Sequence, residues 1–135
     1  MEHRIAGIDH VAITATDLEA SCRFYIELLE GELLFDHVVD GVPLVRGIRA
    51  GGAMLSIHQA GNGIPLVARH PTIGATDVCF RWTGTIDDAV AHLGCHGVPI
   101  EEGPVNRFAN DGTPAQSVYF RDPDGNLLEL LTTTV

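Results

Sequence analysis

The stretches Ile8-Asp9-His10-Val11-Ala12-Ile13 and Asp77-Val78-Cys79-Phe80 decide how this chain folds, because the second repeats the first. Each is a short apolar strand carrying one metal-binding residue type, His10 or Asp77, and each leads within a few residues to a helix start. The two halves also close alike, on Met54-Leu55-Ser56-Ile57-His58 and Leu127-Leu128-Glu129-Leu130-Leu131. A unit written twice, with possible ligands on its first and last strands, points to a site built from two halves.

Outward from the first stretch, residues 7–14 alternate, with Asp9, Val11 and Ile13 on one face and Ile8, His10, Ala12 and Thr14 on the other. Thr16-Asp17-Leu18-Glu19 has capping-box spacing; Leu18, Cys22, Tyr25 and Leu29 follow at helical spacing, and Gly31 is the expected stop. Strands are expected over 33–39, 44–50 and 53–59, with turns at Asp40-Gly41 and Gly51-Gly52. Residues 60–74 hold three glycines and two prolines and read as a linker.

The order then repeats. A strand over 76–82 precedes the capping pattern Thr85-Ile86-Asp87-Asp88, a helix over 89–93 ended by Gly94 and Gly97, and a short strand over 98–101. A polar loop is expected over 103–114. A hairpin of 116–121 and 126–132 then closes on the turn Asp122-Pro123-Asp124-Gly125. The expected fold is α+β: one domain over 1–135 made of two βαβββ modules, about 5–59 and 75–133. Pairing the modules would give one curved mixed sheet with helices outside and a central cleft.

A chain of 135 residues, 45% apolar, can bury roughly two-thirds of its unfolded surface in an ordinary core. A net charge of −10 argues against nucleic-acid and anionic-membrane partners, both of which need a basic face. Met1-Glu2-His3-Arg4-Ile5 carries no charged-then-apolar leader, and no apolar run approaches ~20 residues, so a cytoplasmic location is expected. Cys22, Cys79 and Cys95 are an odd count without CxxC spacing and read as buried reduced thiols.

Glu129 carries the strongest chemical signal. It shares a strand face with Leu127 and Leu131, and burial of both faces would cost several kcal/mol for an ionised carboxylate without a metal or a partner. The plainer alternatives are a strand end reaching solvent or an ion pair with an arginine such as Arg81. His10 could equally be a satisfied core histidine, His58 a solvated strand end, and Asp77 a strand-entry aspartate. Together, two imidazoles and two carboxylates on opening and closing strands suit a divalent metal with N and O ligands. Tyr119 or Arg81 could orient a substrate oxyanion, and the loop with Asn106, Arg107 and Asn110 could cover a cleft. Gly61-Asn62-Gly63 lacks the basic or helical context of a phosphate loop.

The opening motif, the helix with Phe24-Tyr25, and Tyr119-Phe120-Arg121-Asp122-Pro123-Asp124-Gly125-Asn126-Leu127-Leu128-Glu129 resemble the vicinal oxygen chelate superfamily. That group includes glyoxalase I, methylmalonyl-CoA epimerase, fosfomycin- and bleomycin-resistance proteins and extradiol dioxygenases. Leu55-Ser56-Ile57-His58-Gln59 and Glu101-Glu102-Gly103-Pro104-Val105 look most like the glyoxalase-domain-containing protein 5 or virulence-protein-like branch. The resemblance implies a metal cleft and bidentate binding of neighbouring substrate oxygens. It also implies a homodimer, and ligands at His10, Asp77 and Glu129. Two positions depart from the pattern. Ser56, not His58, is the repeat counterpart of Glu129, where Glu or Gln is usual, and Asp77 replaces the usual His.

The function this implies is a lyase or isomerase acting on a small α-oxygenated carbonyl compound. A divalent metal (Zn, Ni, Mn or Fe) held by His10, His58, Asp77 and Glu129 would stabilise an enolate, with Asp77 and Glu129 as the catalytic carboxylates. Extradiol ring cleavage and metal-free antibiotic binding are the competing expectations.

Overall fold

β1 (His10–Ala15) turns Ile13 and Ala15 into the interior, while His10 stays exposed on the other face. The computed structural model describes residues 3–135 and divides into two compact units, Met1–Thr72 and Ile73–Val135. The first holds β1, α1 (Leu18–Leu28), β2 (Glu32–Val39), β3 (Val42–Ala50) and β4 (Ala53–Gln59). The second holds β5 (Asp77–Arg81), α2 (Ile86–Cys95), β6 (Glu102–Phe108), β7 (Pro114–Arg121) and β8 (Leu127–Thr132). Two βαβββ modules are thus present. Their strands hydrogen-bond as two four-stranded sheets, ordered β1-β4-β3-β2 and β5-β8-β7-β6. In each sheet the opening and closing strands pair in parallel and the other neighbours are antiparallel.

In the first unit, α1 covers β3 and β4. Leu18, Cys22, Tyr25 and Leu28 are buried, as are Ile48, Leu55 and Ile57. The helix cap lies one residue later than the capping-box pattern suggested. Asp17 is the N-cap and its Oδ1 accepts from Ala20 N at 3.1 Å, while Gln59 Oε1 accepts from Leu18 N at 2.9 Å. Gln59 therefore ties the helix start to the end of β4. At the other end the positive φ falls on Glu30 (53°), and Gly31 serves close approach instead: a Cβ there would stand 2.7 Å from Ile48 Cγ2. Asp40 and Gly41 both have positive φ, 51° and 78°, as a two-residue type I′ hairpin requires.

In the second unit, α2 packs on β7 and β8 through Ile86, Ala89 and Leu93, against Val118, Phe120, Leu128 and Leu130. Thr85 and Asp88 form the expected reciprocal capping box. The expected strand over 98–101 is not one. Val98 N donates to Leu93 O at 2.9 Å, closing the helix end over Gly97 (φ 66°), and the strand lies instead at Glu102–Phe108, all but its first residue within the expected loop. The turn after β7 forms as expected, with Gly125 N donating to Asp122 O. No helix among the described residues is long and apolar enough to cross a membrane.

Candidate functional site

Each sheet has one face under its helix, and the register sorts the candidate residues onto the opposite, only partly open face, where Ser56, Ser117 and Leu131 are buried. In the first unit His10 pairs with Met54, Ala12 with Ser56 and Thr14 with His58, so these six side chains share a face. In the second unit Asp77 pairs with Leu127, Cys79 with Glu129 and Arg81 with Leu131. The two ladders superimpose step for step. Ser56 lies two residues beyond the partner of His10, as Glu129 lies two beyond the partner of Asp77. Two residues of strand are about 7 Å, a gap two side chains can close; His58 lies four residues beyond the partner of His10, about 13 Å along the strand.

His10 is exposed, and its Nδ1 lies 2.7 Å from Asp9 Oδ1. A proton on Nδ1 donated to that carboxylate leaves the Nε2 lone pair for a metal, the arrangement usual for ligating histidines. His58 is set up differently. Asn62 Nδ2 lies 3.3 Å from His58 Nδ1 and also donates to Leu44 O, while Asn62 Oδ1 accepts from Ile64 N. That amide orientation makes His58 Nδ1 an acceptor, so the neutral ring carries its proton on Nε2. Burial pushes the His58 pKa down, which favours the neutral ring. His58 is thus a neutral N–H donor as it stands.

Asp77 is exposed and Glu129 half-buried, so the carboxylate does not sit between two closed faces. Arg81 Nη2 reaches Thr133 Oγ1 at 3.5 Å, and among the described residues Glu129 enters no ion pair. Glu129 instead meets Cys79. Cys79 is exposed as a residue, but partial desolvation of its thiol first, then the charge and hydrogen bond of Glu129, push that thiol up to about 12. Tyr119 is the cross-strand partner of Glu129 on β7. Arg107 Nε donates to Tyr119 Oη at 2.9 Å, with the guanidinium carbon 5.4 Å from the ring centroid.

Arg107 lies on β6 and not in the expected loop, and its pairing with Tyr119 follows from that strand. Alternation through Val105 and Arg107 was the available signal. The ladder position of Cys79, opposite Glu129, is what gives it a role at the site. All three cysteines are free, but only Cys22 is buried, which corrects the expectation for the other two.

Among the described residues, no three His, Cys, Asp or Glu side chains are gathered as a metal cluster. Asp77 and Glu129 stand two residues of strand apart on one face, whereas His58 lies four residues beyond the partner of His10. Within the second unit Asp77 and Glu129 give two carboxylates and no thiolate, an oxygen-donor pair whose chemistry suits a hard divalent cation better than a structural zinc.

Paired βαβββ modules with these motifs define a family, and residues 7–130 match the model of the Glyoxalase/Bleomycin resistance protein/Dioxygenase superfamily. The chain belongs to that superfamily, whose members include glyoxalases, dioxygenases and antibiotic-binding proteins. It is 34% identical over 126 residues to the glyoxalase domain-containing protein RDO1 of Mycosarcoma maydis, covering 93% of this chain and 68% of that one. It is 35% identical to virulence protein STM3117 of Salmonella typhimurium, covering 93% and 83%. The solved structure of STM3117 aligns with a TM-score of 0.84 at 32% identity, over 98% of this chain and 100% of that one.

Two more distant structures share the fold alone. The antibiotic-binding protein TnmS3 of Streptomyces sp. CB03234 aligns at 22% identity and TM-score 0.70, over 97% and 98% of the chains. FosX, a fosfomycin resistance protein of Listeria monocytogenes solved with Mn(II), aligns at 21% identity and TM-score 0.63, over 93% and 89%.

Proposed function

We propose that the protein is a divalent-metal-dependent lyase or isomerase acting on a small α-oxygenated carbonyl compound, with His10, Asp77 and Glu129 as its metal donors. The observation that carries this reading is the common register of the two modules. It sets Asp77 two residues of strand from Glu129 on one open face and leaves His10 with its Nδ1 against Asp9. A bound divalent ion supplies Lewis-acid polarisation of the carbonyl and offsets the negative charge that follows proton loss at the adjacent carbon.

The protein's own groups then divide the work. Asp77, exposed and displaceable from the metal, takes the proton as general base once its carboxylate is free. Cys79, held against Glu129, limits the orientations of that carboxylate. His58, a neutral N–H donor, serves a substrate oxygen in place of a fourth metal ligand. We also read the protein as a cytoplasmic homodimer. Support for the dimer is the exposed apolar run on β2, including Leu33, Leu34, Phe35, Val38 and Val39, and three unpaired cysteines suit a reducing compartment.

Metal analysis of tag-free protein, with thermal stabilisation by added Mn2+, Fe2+, Ni2+ and Zn2+, tests the reading. Stoichiometric metal or a clear rise in Tm supports it. Neither, with any of the four ions, removes it.

The second reading, a metal-free small-molecule binder, has one observation in its favour. Met54 and the ring of Phe35 pack so closely over Gly47 that a Cβ there would overlap both. That apolar platform shares its face with Ser56, where the carboxylate is missing. An apolar ligand that binds equally well with and without metal would favour it.

A further inference from the structure

All eight cationic side chains of this acidic protein are arginines. Two are neutralised: Arg46 pairs with Glu19 and Asp36, and Arg121 with Glu101. Arg107 is among those that are not. Among the described residues it joins no carboxylate within 4.0 Å, although it is exposed and carboxylates outnumber arginines by 18 to 8. What holds it is a phenol and a backbone carbonyl. Nε donates to Tyr119 Oη at 2.9 Å, Nη1 donates to Asn106 O at 2.9 Å, and the guanidinium lies over the Tyr119 ring.

Two contacts and a ring fix the plane of the guanidinium while its Nη2 amino group stays available. Preorganisation of this kind reduces the entropy lost when a planar anion is bound. Tyr119 is at the same time the cross-strand partner of Glu129 on the open face. The phenol that holds the guanidinium thus belongs to the cross-strand neighbour of the carboxylate assigned above to the metal.

The geometry points to Arg107, oriented by Tyr119, as an anion-binding group that selects substrates carrying a carboxylate beside their vicinal oxygens. The substrate class sharpens accordingly, to an α-oxygenated acid with a second, distal carboxylate. This rests on the reading of Glu129 as part of the reaction site. A guanidinium–carboxylate pair of good geometry is short, charge-assisted and directional, which makes it a group for specificity as well as affinity.

The test uses the full-length protein, loaded with Zn2+ and separately metal-free. Malate, 2-hydroxyglutarate and lactate are titrated by calorimetry, while proton–nitrogen spectra follow the arginine Nε–H signals. Lactate shares the α-hydroxy acid end of malate and lacks the distal carboxylate. Malate or 2-hydroxyglutarate should bind about tenfold or more tightly than lactate and shift the Arg107 signal. Both effects should vanish in Arg107→Gln, with lactate affinity unchanged, and shrink in Tyr119→Phe. Because Arg107 is exposed, its replacement leaves the core intact. Equal affinity for the three acids, or a preference that survives Arg107→Gln, overturns the proposal. Failure of the metal reading looks different: Zn2+ and lactate would not bind, yet malate would still shift the Arg107 signal. If malate then shifts nothing, both readings fall.

Discussion

Glu129 stands directly opposite Cys79 across the parallel β5–β8 ladder, as Ser56 stands opposite Ala12 across β1–β4. The correspondence makes Ser56 the first module's vacant carboxylate position. His58, two residues further on, keeps Nδ1 toward Asn62.

Restoring the missing carboxylate should therefore strengthen metal binding. Ser56→Glu is expected to tighten Mn2+ affinity about tenfold, since affinity for hard cations rises with ligand charge. Calorimetric titration of variant and wild type reads the change. Unaltered or weaker binding in a variant that stays folded by circular dichroism counts against the register.

Asn126 should prove the polar keystone of the second unit. It is 1% exposed, donates Nδ2 to Asp122 Oδ2 at 2.7 Å, and accepts from Thr76 N on its Oδ1 at 2.8 Å. Those bonds tie the entry of β5 to the turn before β8 and so align Asp77 with Glu129. Asn126→Ala strands buried groups and should cost roughly 2–4 kcal/mol. A urea midpoint shift worth less than about 0.5 kcal/mol would contradict it.

Cys79 gives the fold an alkaline dependence. An unfolded thiol ionises near ~8.5, whereas the folded one is pushed up to about 12 by partial desolvation of the thiol and by Glu129. Between those values the unfolded state holds fewer protons, so stability is fully present below the lower one and falls as pH rises toward the upper. With chelator present, wild type should lose more stability between pH 8 and 10 than Cys79→Ser. Cys22, also raised by burial, leaves a residual slope in both proteins. Parallel losses in the two would show that Cys79 does not titrate as described.

The repeat was legible because strand alternation and capping boxes are local patterns. His10 and Asp77 open equivalent strands, and Thr85-Ile86-Asp87-Asp88 formed its cap as read. β6 was not legible. Pro99, Gly103 and Pro104 look like loop, and the hydrogen bonds that make Glu102–Phe108 a strand come from β7. The site was half visible. Residue types suggested Glu129 and His10, but which residue faces which depends on register. Only the ladders reveal that Cys79 faces Glu129, whereas the internal repeat alone already sets Ser56, not His58, at the counterpart of Glu129. The Asn62 contact that sets the His58 tautomer joins a strand to the linker, where no periodic pattern exists to be read.

Mn2+ titration of the metal-free full-length protein, alongside Glu129→Gln and His58→Ala, bears most directly on the donor assignment. Wild type should bind stoichiometrically, Glu129→Gln should weaken binding by about a hundredfold or more, and His58→Ala should stay within about threefold. Unchanged affinity in Glu129→Gln, or a collapse confined to His58→Ala, would contradict the assignment of His10, Asp77 and Glu129 as the metal donors.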